Sequence, residues 1–88
     1  MKLKNCFEII KIGNDTIAVD VSSDTVDLRD AVVLNGTAEL LFTAMQNQTD
    51  EKELVELLCI RYHINEQKAK KDVSAFVQGL NEKGLLEL

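Results

Sequence analysis

The sequence has no proline, one histidine and only two cysteines in its 88 residues. With no proline-rich stretch, internal repeat or low-complexity segment, nothing marks a linker, and the length suits one domain spanning residues 1–88. A chain of this size buries only about 60–65% of the surface it exposes when unfolded. A deep internal active site would consume much of so small a core, so surface grooves are the better candidates for function. No apolar run approaches the roughly 18–20 residues of a membrane span. Met1-Lys2-Leu3-Lys4-Asn5 is not followed by the uninterrupted apolar stretch of a secretory signal. These absences predict a cytoplasmic protein that does not enter a membrane.

The same scarcity limits the chemistry. A zinc site needs about four ligands at close spacing, whereas Cys6 and Cys59 lie far apart, outside any CxxC, and His63 stands alone. The cysteines read as two small buried hydrophobes in a reducing compartment. His63 follows Tyr62 where a helix is expected to end, and it reads as an exposed C-terminal cation favoured by the helix dipole, not as a base beside a nucleophile. Asp20, Asp24, Asp27 and Asp30 lack the spacing and closing glutamate of a calcium loop. Gly13-Asn14-Asp15 lacks the glycine spacing and trailing helix of a phosphate cradle. The residues therefore predict no catalytic centre, no metal and no cofactor.

Positive charge is also short. Ten Lys and Arg against fifteen Asp and Glu give a net charge of −5, and binding a phosphate backbone relies on cations displacing condensed counterions. Lys68, Lys70 and Lys71 cluster, but Glu66 and Asp72 bracket them, as on a solvated helix face. Nucleic acid is not the expected partner. A DNA-binding regulator using Lys70 and Lys71 is the alternative reading.

What the sequence does contain is an ordered series of elements. Cys6-Phe-Glu-Ile-Ile-Lys-Ile12 is rich in β-formers, Gly13-Asn14-Asp15 favours a turn, and Thr16-Ile-Ala-Val-Asp-Val21 places Ile17, Val19 and Val21 on one face by alternation. This predicts a β-hairpin. Ser22 to Asp27 reads as a polar loop. Ala31-Val32-Val33-Leu34, between Arg29-Asp30 and Asn35-Gly36, reads as a short third strand whose charged flank guards an edge.

The period then becomes helical. Asn35 is a candidate N-cap for a helix with the stripe Ala38, Leu41, Phe42 and Met45, fraying near Asn47. Asp50 with Glu53 suggests a capping box for a second helix, with Leu54, Leu57, Leu58 and Tyr62 buried. Asn65 caps a third, with Ile64 and Ala69 as a hydrophobic staple and Ala69, Val73, Phe76, Val77 and Leu80 as its core face. Gly84 suits a left-handed C′ residue, with Leu85 folding back on Leu80, and the tail Leu85-Leu86-Glu87-Leu88 is apolar enough to pack down. Three strands followed by three helices predict an α+β fold of winged-helix type, a three-stranded antiparallel sheet joined to a three-helix bundle.

At this point the residues resemble a known family. Leu34-Asn35-Gly36-Thr37-Ala38 resembles the Leu-Asn-x-Thr opening of a helix in PqqD-like proteins. Glu53-Leu54-Val55-Glu56, Tyr62, Asp72-Val73, Phe76-Val77 and Lys83-Gly84-Leu85-Leu86 keep that family's order and spacing from the hairpin to the C-terminus. Gly36 departs where the family often has Glu, and Asp30-Ala31 where it often has Gly and a larger apolar residue.

The resemblance implies a standalone recognition element for ribosomally made, post-translationally modified peptides. Such a domain performs no chemistry. It binds the leader segment of a precursor peptide and presents it to a modifying enzyme, frequently a radical SAM protein. In that family the leader adds as an antiparallel strand beside the third strand, here Asp30, Ala31, Val32, Val33 and Leu34, in a groove completed by the third helix.

A second stripe on the third helix suits that groove: Lys68, Asp72, Ala75, Phe76 and Gly79, at i, i+4, i+7, i+8 and i+11. Lys68, Lys71 and Asp72 would be rim charges. Phe76 borders both this stripe and the core stripe. A glycine inside a helix costs about 1 kcal/mol relative to Ala, so Gly79 calls for a reason, either the close approach of a partner or tight packing against the hairpin.

Overall fold

The computed structural model describes residues 1–4, 6–21 and 31–87. Its elements are β1 (Lys2–Leu3), β2 (Phe7–Ile12), β3 (Asp15–Asp20), β4 (Val32–Leu34), α1 (Gly36–Ala44), α2 (Glu51–Tyr62), α3 (Glu66–Glu82) and β5 (Leu86–Glu87). The expected α+β architecture is present: an antiparallel sheet in the order β2-β3-β4, followed by three helices. The loop expected over Ser22 to Asp27, the acidic residues Asp24, Asp27 and Asp30, and Leu88 lie outside the described residues.

The hairpin is tighter than its composition suggests. Ile12 pairs directly with Asp15, so the turn is Gly13-Asn14 alone and Asp15 belongs to the strand. Gly13 has φ of 62° and Asn14 is not in the positive region. That is the pattern of a type II′ turn, whose twist matches that of the strands it joins. A two-residue loop makes its closing pair a hydrogen-bonded one, and bonded pairs then recur at every second position. The bond from Val21 N–H to Cys6 O, at 3.0 Å, falls on the same alternation.

All three helices start on the side-chain oxygen expected to cap them. Asn35 accepts from the N–H of Ala38, Asp50 from Glu53 and Asn65 from Lys68, at 2.8–2.9 Å. The Glu53 carboxylate accepts from the Thr49 hydroxyl and not from the Asp50 N–H, so only the Asp50 half of the expected capping box forms at α2. α1 ends at Ala44 with Met45 as C-cap, and single turns carry the chain to Asn47. α3 ends in a Schellman motif: Leu85 N–H reaches Leu80 O and Gly84 N–H reaches Asn81 O, both at 3.0 Å, with Gly84 at φ 72°.

One contiguous core draws on every element, from Leu3 in β1 to Leu86 in β5, around Phe42, Leu41, Met45, Leu54, Leu58 and Val73. Phe7 meets Phe42 edge-on at 5.1 Å between ring centres. In α2 the buried residues are Leu54, Val55 and Leu58. Tyr62 is exposed, contrary to expectation: it ends the last turn of α2, and its hydroxyl lies beside Gly36 at the start of α1. Cys6 is exposed and Cys59 half-buried, so the reading of two buried cysteines fails for Cys6; both are free thiols.

The sequence pattern gave no sign of the β1–β5 ladder. Lys2 pairs with Glu87 and Leu3 with Leu86. Leu3 N–H also donates to Met45 O, Lys4 N–H to Leu85 O and Thr49 N–H to Met1 O. The two ends of the described chain are thereby tied to each other and to the α1–α2 connection.

Candidate functional site

Strand β4 has β3 on one side, and among the described residues no strand pairs its other side. Its register is Thr16↔Leu34, Ile17↔Val33 and Ala18↔Val32. The hairpin parity decides which backbone groups point outward. Ile17 and Val19 belong to the pairs bonded to β2, so Thr16 and Ala18 turn their backbone toward β4. Leu34 and Val32 are their partners. Val33 is left with both its N–H and its C=O directed away from the sheet. The free edge of β4 therefore offers one full donor–acceptor pair, on Val33.

Side chains alternate in the same way. Val32 and Leu34 turn toward the helical core, where Leu34 is buried and Val32 partly so, together with Ala18, Phe7 and Ile9. Val33 points to the opposite face and is 71% exposed. Ile17 and Val19 share that opposite face; both are buried, yet neither belongs to the main core. The stripe of Ile17, Val19 and Val21 is thus the outer side of the sheet, while Ala18 is the residue of β3 that meets the helices. Ala31 precedes the strand and is partly buried, so β4 is one residue shorter than expected. Asp30 lies outside the described residues.

On α3 the second stripe exists as a surface. Ala75 is exposed, Asp72, Phe76 and Gly79 are half-buried, and Phe76 packs against the core cluster that also receives Val32. Lys68 and Asp72 form an i,i+4 ion pair at 3.4 Å, worth about 0.3–0.5 kcal/mol at such exposure. Lys70 pairs with Glu66 at 3.1 Å. Two of the three clustered lysines are thus neutralised on their own helix, and Lys71 is the one without an ion-pair partner among the described residues.

The surroundings of Gly79 remove one of the two reasons for a glycine there. A Cβ built at this position would meet no described atom within 4 Å. Packing against the hairpin does not require glycine.

The sequence pattern of the family described as "Coenzyme PQQ synthesis protein D (PqqD)" matches residues 15–86. The chain belongs to the PqqD family. Among solved structures it is similar to "TbiB1 in Complex with the TbiA(beta) Leader Peptide", with a TM-score of 0.72 and 18% identity over 99% of this chain and 95% of that one. At that identity the likeness establishes the fold. No curated protein matches the chain significantly. The matched segment of this PqqD-family chain holds β3, β4 and all three helices, and leaves out β1 and β2. At its departure from the family pattern, Gly36, a Cβ would lie 3.2 Å from the Tyr62 hydroxyl, so Tyr62 takes up space that a larger residue would need.

A second groove on the described surface lies elsewhere. It measures about 870 Å³ and runs between α2 and α3, lined by Val55, Cys59, Ile60 and Val73 together with Glu56 and Lys70. Lys70, Val73 and Ser74 face it from the flank of α3 away from Lys68, Asp72 and Ala75.

Proposed function

We propose that this chain binds the leader segment of a ribosomally made precursor peptide without catalysing a reaction, that the leader adds as an antiparallel strand to β4, and that the protein presents it to a modifying enzyme of the radical SAM type. The observation that carries the reading is the outward-facing backbone pair of Val33 on an edge that no strand pairs among the described residues, in a PqqD-family chain whose fold is that of TbiB1, a protein solved with a leader peptide. Strand addition is an established route to peptide recognition, with main-chain bonds supplying affinity and alternate side chains selectivity.

Energetics decide what else the site must supply. Val33 offers two backbone bonds at roughly 0.5–1.5 kcal/mol net each, against about 2–5 kcal/mol for ordering a disordered leader. Backbone pairing therefore does not close the balance, and apolar leader side chains must be buried. Residues at either side of the one paired with Val33 would point to the core side of the sheet, toward Ala75, Phe76 and Gly79. Lys68, Lys71 and Asp72 would select among leaders at the rim, and Ala31 and Asp30 would extend the edge.

Calorimetric titration of the precursor's leader into Val33→Pro tests the mechanism. The substitution removes the outward donor and places a ring where the added strand would lie, so affinity should fall at least tenfold in a protein that stays folded by circular dichroism. Wild-type affinity in folded Val33→Pro would rule out strand addition at β4.

A further inference from the structure

The outer face of the sheet carries a row of β-branched residues that crosses all three strands. Ile10 pairs with Ile17, and Ile17 pairs with Val33. Ile17 and Val33 form a non-hydrogen-bonded pair, the type in which side chains lie closest. The row is covered at its centre and open at its end: Ile17 is 9% exposed, while Val33 is 71% exposed. Exposed edge strands are normally guarded by charged side chains. Here the one residue of β4 that faces outward in both backbone and side chain is a valine.

Resting on the strand-addition reading, we propose that Val33 is a side-chain subsite on the outer face of the sheet, separate from the α3 groove, and that it takes a β-branched or other aliphatic residue of the added peptide. In an antiparallel addition, the peptide residue whose N–H and C=O bond Val33 sits directly opposite it. Its side chain must emerge on Val33's face and become the fourth member of the row Ile10–Ile17–Val33. The two flanking peptide residues emerge on the other face. One peptide is therefore read on both faces of the sheet, and the outer reading depends on a single position. Directly opposed pairs of this kind change affinity by up to about fivefold, enough to choose between related leaders.

The test uses a random nonapeptide library displayed on yeast, selected against the full-length chain and against Val33→Lys. At 71% exposure this position accommodates lysine without loss of fold, and Val33→Thr provides a second variant with strand propensity retained. Wild type should enrich peptides with one aliphatic, β-branched-rich position flanked by separately selected neighbours. On Val33→Lys that position should shift to Asp or Glu, and on Val33→Thr it should relax toward Thr and Ser, with the neighbours unchanged in both. Peptides that bind the variants with no change at that position, or with changes at the neighbours instead, overturn the outer subsite while leaving strand addition standing. If wild type enriches no peptide, strand addition fails and the subsite fails with it.

Discussion

Gly79 and His63 are the two residues whose backbone cost the fold itself does not require. Gly79 has open space where a Cβ would go, so Gly79→Ala should stabilise the free protein by about 0.5–1 kcal/mol. If a leader lies against this stretch of α3, affinity falls as stability rises, and Gly79→Leu deepens the loss with helix content unchanged by circular dichroism. Affinity that does not change in either variant would remove Gly79 from the groove. His63 caps α2 in the left-handed region, at φ 54° and ψ 36°, with its N–H on Cys59 O. Histidine in that conformation costs roughly 1 kcal/mol that glycine avoids. Thermal melting of His63→Gly should show a rise of about 4–8 °C for a domain of this size, with leader affinity unchanged because His63 is not among the residues proposed to contact the leader. The position of His63 at the helix end was legible from the apolar stripe before it. Its conformation was not, since αL is most often occupied by Gly or Asn.

Among the elements, β4 carries the functional account. Its three residues divide by parity, with Val32 and Leu34 bonded inward and Val33 outward. Val32→Pro should therefore break the ladder to Ala18 and destabilise the domain by about 1–3 kcal/mol in a denaturant titration. Val33→Pro should leave stability nearly intact and lose the leader. The opposite result would mean that the edge faces the other way. Much of this element was legible: the apolar run between turn-formers marked a third strand, and the caps at Asn35, Asp50 and Asn65 marked the starts of the three helices. The inward and outward assignment was not legible, because it depends on the length of a turn elsewhere. Asp15 had to be a strand residue before the alternation could be counted. The β1–β5 ladder was missed for a different reason, since two-residue strands are too short to show any period.

On the scale of the whole molecule, one winged-helix frame admits two readings, and charge separates them. A net charge of −5 repels duplex DNA. Lys68 and Lys70 are already paired on α3, leaving Lys71 as the one unpaired cation of that cluster among the described residues. Binding to duplex DNA should be absent at physiological ionic strength by fluorescence anisotropy. Salt-sensitive binding that weakens in Lys70→Ala and Lys71→Ala would instead support a regulator. The fold could be read from residue pattern, and the order of motifs from Leu34 to Leu86 identified the family. The site was only half legible: helical spacing gathered Lys68, Asp72, Ala75, Phe76 and Gly79, but only the register of the sheet singled out Val33.

The most direct measurement of peptide capture at this edge is a titration of the ¹⁵N-labelled protein with the precursor's leader, followed by amide NMR. Strand addition predicts shifts concentrated in residues 31–34 and 68–79, with the Val33 amide becoming protected from solvent exchange on binding while the Val32 amide is protected throughout. Shifts confined to the groove between α2 and α3, or a Val33 amide that exchanges as fast with leader as without it, would contradict capture at β4.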